Sequence, residues 1–314
     1  MKLKRLVGVV TTLSMVFLSV STAFAATPKY EYNFDGELGG AKVVTREGDN
    51  EDGGNAGTLP VESDVAAQFD SGVNGQALYL DGKYGVLLDA EAVGETYTLA
   101  FWVNPARFSN FGPIVQLGSD LLSANASAKW LNITKTDWDG DSAPIIWSRN
   151  EVLDAFPWYL TAYFTAGGGY QIPKNEWSHI AVTVDGSRIG MDPELGTEVA
   201  GTFHSQLYIN GELIGEGPVA EGTFTGDAKV YLGINAWDII FKGLFDDVKI
   251  YDTVLTAADV KTAMGEAEAT SAETTATPKT GVVSTGLFLG ASALAFGTGA
   301  ILLKKKGKEE DSVN

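Results

Sequence analysis

Gln206-Leu207-Tyr208-Ile209-Asn210-Gly211-Glu212-Leu213-Ile214 reads as two short strands joined by a two-residue turn. Asn and Gly tolerate the positive φ that both central residues of a type I′ turn require, and the right-handed twist of paired strands favours that turn. Leu207 and Ile209 alternate with Tyr208 and Asn210, so a period of two sends the aliphatic pair to one side and predicts one buried face per strand. Working outward from this hairpin, stretches rich in β-branched and aromatic residues recur at 30–34, 77–80, 97–103, 114–117, 144–147, 158–165, 177–185, 206–209, 229–232 and 245–251, with Gly, Asn and Asp between them. Short strands at such spacing predict an all-β sandwich of two antiparallel sheets. One helix stands out. It follows Thr256, whose hydroxyl can cap the amides ahead, and Asp259 in its first turn opposes the helix dipole.

Five blocks occur in order: 97–105 (YTLAFWVNP), 177–186 (WSHIAVTVDG), 207–215 (LYINGELIG), 231–233 (YLG) and 241–251 (FKGLFDDVKIY). Together they resemble the laminin G-like, concanavalin A-like jelly roll, including its closing strand and short helix. The resemblance implies a single domain over 27–264. The chain departs from the family pattern twice. The stretch between Asp35 and Asp81 is longer, acidic and glycine-rich, and the middle from Ser119 to Lys174 is richer in tryptophan.

The ends of the chain predict its destination. Lys2, Lys4 and Arg5 precede an apolar run and Ala23-Phe24-Ala25, the pattern of a signal peptide (1–26) cut after Ala25 or Ala26. Near the other end, 282–303 carries no charge and lysines 304–306 follow. As a helix, about 22 residues at about 1.5 Å each would cross a bilayer core of about 30 Å. The lysines then keep the tail 304–314 in the cytoplasm and put the domain outside. The pentapeptide 277–281 (TPKTG), followed by this span and basic tail, resembles the Leu-Pro-x-Thr-Gly sorting signal of Gram-positive surface proteins, with Thr277 in place of leucine. That resemblance implies sortase cleavage between Thr280 and Gly281 and transfer to peptidoglycan. Residues 265–276, rich in Glu, Ala, Ser and Thr, read as a linker.

Composition narrows the chemistry. The chain has 22 basic against 40 acidic side chains, a net charge of −18, which repels nucleic acid and anionic lipid. Without cysteine there are no disulfides, thiolate metal sites or cysteine nucleophiles. With two histidines, His179 and His204, a two-histidine zinc motif is missing, and no Gly-x-Ser-x-Gly elbow accompanies them. Glu47-Gly48-Asp49-Asn50-Glu51 has the spacing of a glucanase catalytic strand, yet Gly48 and Asn50 cannot form the buried face that such a strand needs, and it reads as a loop.

Oxygen ligands are plentiful, so calcium is the expected cofactor. The family resemblance implies that it would join the N-terminal loop to the last strand, at Asp35 and Asp246. Asp137-Trp138-Asp139-Gly140-Asp141 begins like a calcium loop but lacks the later Gly and Glu of an EF-hand. Among seven tryptophans, Trp138 and Trp237 sit beside acids and are the expected ligand-stacking residues, while Trp147 and Trp158 lie on apolar strands and read as core. His179, in the Trp-Ser-His block, is expected to be a buried structural residue.

These readings predict a non-catalytic surface recognition module that binds a glycan or a surface protein. A glycoside hydrolase on the same scaffold and a ligand-free structural wall protein are the alternatives. A groove with two carboxylates about 5 to 9.5 Å apart would favour hydrolysis, and one lined by Trp or Tyr without such a pair would favour binding.

Overall fold

The computed structural model describes residues 26–47, 58–107, 109, 112–123, 128–136, 143–151, 160–162, 172–193 and 195–265. In chain order the strands are β1 (Tyr30–Tyr32), β2 (Lys42–Thr45), β3 (Val61–Glu62), β4 (Gln68–Ser71), β5 (Gln76–Asp81), β6 (Tyr84–Leu87), β7 (Tyr97–Arg107) and β8 (Pro113–Gly118). They continue as β9 (Lys129–Thr136), β10 (Ala143–Asn150), β11 (Leu160–Ala162), β12 (Ser178–Met191), β13 (Glu198–Ile209), β14 (Glu212–Ala220), β15 (Lys229–Leu232) and β16 (Lys242–Tyr251). One helix, α1 (Ala257–Met264), follows.

The strands form two antiparallel sheets. The first runs β14-β13-β12-β7-β16-β5-β4 with β1 beside β16, and the second runs β11-β10-β9-β8-β15-β6-β2-β3. Alternation makes the core between them. Leu99, Phe101 and Val103 of β7, Ile180 and Val182 of β12, and Phe245 of β16 point inward from the first sheet. Val86, Val115, Leu117, Leu131, Ile133, Val230 and Leu232 meet them from the second. Burying each such side chain contributes about 1.5–3 kcal/mol.

The hairpin behaves as its sequence predicts. Asn210 and Gly211 have φ of 50° and 76°, and Ile209 pairs with Glu212. The Asn210 side chain also accepts a hydrogen bond from the His179 amide at 2.8 Å. Leu207 and Ile209 are buried, but Tyr208, on the opposite face, is only 3% exposed. The expectation of one buried face therefore fails here, because α1 covers the outer side of the first sheet. Val260 and Ala263 of α1 pack with Tyr208, Tyr251, Ala100 and Ala181, and the small alanines let the helix approach the strands. The Thr256 hydroxyl accepts from the Asp259 amide, and the Asp259 carboxylate accepts in return from the Thr256 amide, a reciprocal cap. Gly265 ends the helix in the left-handed region, at φ 97°.

The tryptophan-rich middle is not a separate module. It supplies β9, β10 and β11, which extend the second sheet past β8. Among the described residues no helix is long and apolar enough to cross a membrane. Ala25, the TPKTG motif with Thr280 and Gly281, the apolar span 282–303, Trp138 and Trp158 all lie outside the described residues. Ala26 is described and packs against the cluster beneath α1.

Candidate glycan-binding face

Strand register places one row of side chains across the outer face of the second sheet. Lys42 opposes Leu87, Leu87 opposes Tyr231, and Tyr231 opposes Gln116. Gln116 then opposes Asn132, and Asn132 opposes Trp147. Directly opposed residues share a face, so this is a continuous transverse row. Two residues along each strand, a parallel row holds Lys229 and Gly118, Trp130 and Arg149.

Three tryptophans interlock on this face. Trp130 meets Trp147 edge to face with ring centroids 5.4 Å apart, and meets Trp237 at 6.1 Å. Trp147 thus corrects the expectation of core filling: its neighbour Ile146 enters the sandwich core, and the period of two turns Trp147 the other way. Beside the tryptophans, Gln116 is 1% exposed and Asn132 2%. Both amide atoms of Gln116, and the Asn132 carbonyl oxygen, have no hydrogen-bond partner among the described residues. Such groups cost about 1–3 kcal/mol each when buried unpaired, which makes them a functional signal.

Trp237 is presented by a braced turn. The Asn235 carbonyl oxygen accepts from the amides of Trp237 at 2.9 Å and Asp238 at 2.8 Å, and its amide nitrogen donates to the Asp238 carboxylate at 2.7 Å. Arg46, nearly buried at the end of β2, donates to the backbone carbonyls of Asn235 and Asp238. Burial pushes the Asp238 carboxyl up to about 6, against the opposing pull of Asn235 and Arg46. Between Leu87 and Trp147 the transverse row carries Tyr231, Gln116 and Asn132 and no carboxylate. Glu47, the first acid of the glucanase-like spacing, follows β2, and residues 48–51 lie outside the described residues.

Asp35 and Asp246 meet at one turn on the first sheet. Asp246 is fully buried, and its carboxylate accepts from the amides of Val73 at 2.7 Å, Asn74 at 3.1 Å and Asp247 at 2.8 Å. Asp35 accepts from the Gln76 amide at 2.8 Å. Asp247, at φ 45°, sits in a bulge of β16 that aims Asp246 at this turn, and it takes a hydrogen bond from the Asn74 side chain at 2.8 Å. Gly75, at φ 72°, leaves room for the Asp35 carboxylate where a Cβ would collide. Burial raises the Asp246 carboxyl, and Asp247 raises it further against the lowering effect of the amides.

Both histidines lie on strands of the first sheet. His179 is buried on the outer side of the first sheet, edge to face with Trp102 at 5.3 Å. Burial, with Lys249 nearby, pushes its imidazole down to about 3, so the ring is neutral. His204 lies 3.5 Å from the Glu216 carboxylate, and burial lowers it as well.

Two face-to-face antiparallel sheets in this order define a jelly-roll-like sandwich. The chain belongs to the concanavalin A-like lectin/glucanases superfamily, whose Laminin_G_3 model matches residues 80–261. Among solved structures, domain 4 of AbnA, a GH43 extracellular arabinanase from Geobacillus stearothermophilus, in complex with arabinotriose, is 23% identical. The match has a TM-score of 0.54 and covers 76% of this chain and 99% of that one. The CBM40 of Ruminococcus gnavus IT-sialidase, bound to α2,3-sialyllactose, matches at 15% identity and TM-score 0.41, over 59% of this chain and 95% of that one. The binding domain of Paraclostridial Mosquitocidal Protein 1 matches at 14% identity and TM-score 0.40, over 70% and 50%. No curated protein matches the sequence. The TM-score and identity of the AbnA domain establish a shared fold.

Proposed function

We propose that this chain is a surface-displayed recognition module that binds a glycan across the outer face of the second sheet and does not cleave it. The observation that carries this reading is the Trp130–Trp147–Trp237 cluster beside the Gln116 amide and the Asn132 carbonyl oxygen, which have no partner among the described residues. Aromatic faces take the C–H side of a sugar, and buried amides gain from its hydroxyls. Fold kinship with an arabinanase domain seen with arabinotriose supports a saccharide ligand. Calorimetric titration with neutral oligosaccharides tests the proposal: binding should be lost in Trp147→Ala and Trp237→Ala. Binding unchanged in both variants would overturn it.

The rival reading, hydrolysis, draws on Asp238, whose raised carboxyl resembles a general acid. Chromatography of oligosaccharides incubated with the chain separates the two. New reducing ends that vanish in Asp238→Asn would establish hydrolysis.

Calcium at the turn at 72–76 stays a proposal that rests on the family resemblance. Asp246 and Asp35 accept from amides of this turn and Asp247 accepts from the Asn74 side chain, but among the described residues no group of three acidic or histidine side chains is placed to hold a metal ion. A cation would supply charge balance and hold the N-terminal segment to β16. Chelation should then lower the melting temperature of the wild type and leave that of Asp246→Ala nearly unchanged. An unchanged wild-type melt would remove calcium from the account.

Export through 1–26 and anchoring through 277–314, by sortase at Thr280-Gly281 or by the membrane span itself, complete the proposal. Mass spectrometry of wall digests tests the anchor: a C-terminal peptide ending at Thr280 linked to peptidoglycan supports sortase transfer, and an intact tail supports the membrane.

A further inference from the structure

A cavity of about 310 Å³ opens at one end of the same face, walled by Lys42, Lys229, Asp89, Asp120, Leu87 and Leu122. We infer that this cavity is a subsite for one uncharged sugar unit at the end or branch of the bound glycan, an inference that rests on the glycan-binding role of this face. Leu87 and Lys42 stand in the same transverse row as Tyr231, Gln116, Asn132 and Trp147. Four strand spacings separate Leu87 from Trp147, about 19 Å, the span of a short oligosaccharide, and the residues between them, Tyr231, Gln116 and Asn132, are buried.

The wall is built for hydroxyls. Buried tyrosines orient both aspartates: Tyr231 donates to Asp120 at 2.5 Å, and Tyr32 donates to Asp89 at 2.6 Å. The Leu122 amide also donates to Asp120, at 3.0 Å. Each carboxylate is thereby fixed with its other acceptor sites open to sugar O–H groups. Lys42 and Lys229 supply N–H donors, and Leu87 and Leu122 offer apolar surface for a ring's C–H side. Lys42 is held by Glu62, also in the wall, at 2.7 Å. The lining thus carries three carboxylates against two ammonium groups, a balance that disfavours an acidic sugar. Its volume lies at the small end of ligand sites, matched to a single ring.

The test follows the methyl resonances of Leu87 and Leu122 by NMR in the full chain. The probes are methyl glycosides of neutral monosaccharides, with N-acetylneuraminic acid as the anionic control. The methyls should shift with at least one neutral glycoside, with a Kd of about 1 mM, and more weakly with the acidic sugar. Lys229→Ala should weaken that binding about tenfold, and Asp120→Asn should do the same with an unchanged melting temperature. Silent methyls, equal affinity in Lys229→Ala, or preference for the acidic sugar would each overturn the subsite. Oligosaccharide binding that persists with silent methyls would sink the subsite and leave the glycan reading standing. Shifting methyls without any oligosaccharide affinity would instead sink the reading of the tryptophan face.

Discussion

The outer sides of the two sheets are finished differently. On the first, the chain supplies its own cover: α1 lays Val260 and Ala263 over Ala100, Ala181, Tyr208 and Tyr251. On the second, the Gln116 amide and the Asn132 carbonyl oxygen have no partner among the described residues, three tryptophans interlock beside them, and a cavity opens at the end of the row. One face is closed by secondary structure of this chain. The other is buried along Tyr231, Gln116 and Asn132 as well, with Leu121, Ile234 and Ile240 packed beside Tyr231, and it opens at the half-buried Trp147 and Trp237. Damage to the first should therefore appear as lost stability, and damage to the second as lost binding.

The largest effect should come from Tyr208→Ala, which empties the space beneath α1. It should cost about 3–5 kcal/mol in a denaturant melt and leave the affinity of the folded fraction for oligosaccharide unchanged. Equal loss of affinity would show that the two faces are coupled. Trp237→Ala should do the reverse. Its affinity should fall at least about tenfold, about 1.4 kcal/mol, while stability falls less than in Tyr208→Ala.

Acid sharpens the comparison further, because each face holds a group with a displaced pKa. His179 on the first is pushed down to about 3, from an ordinary value of about 6.5. Between these values the unfolded chain binds more protons, so His179 contributes stability above about pH 6.5 that is lost as pH falls toward 3. Asp238 on the second is pushed up to about 6. There the folded chain binds more protons between about pH 4 and 6, so this group's contribution weakens as pH rises through that window. His179→Phe should resist acid better than wild type, and Asp238→Asn should remove the opposing trend. Melting curves from pH 3 to 7 check both slopes. The smallest effect is expected at the helix cap, where Thr256→Ala should cost about 1 kcal/mol.

Much of the first face was legible from the sequence. The Asn210-Gly211 turn, the alternation in 206–214 and the Thr256 cap are local signals, and the structure reproduces them. That Tyr208 would be covered was not legible, since α1 lies about fifty residues further along the chain and only packing reveals it. Less of the second face could be read. Trp237 stands beside an acid in the sequence, whereas Trp130 has no such neighbour and the apolar flank of β10 hides which way Trp147 points. The transverse row from Lys42 to Trp147 joins residues scattered between positions 42 and 231, and register alone assembles it. Asp35 and Asp246 were paired on family resemblance, and the structure brings both to the turn at 72–76.

The central claim is that the outer face of the second sheet binds a sugar chain and releases it intact. The most direct measurement is calorimetric titration of the purified chain with a panel of neutral oligosaccharides, followed by mass analysis of the recovered sugar. The account predicts saturable binding that disappears in Trp147→Ala, with the oligosaccharide recovered at its original mass. Shortened products, or heat of binding unaltered by Trp147→Ala, would contradict it.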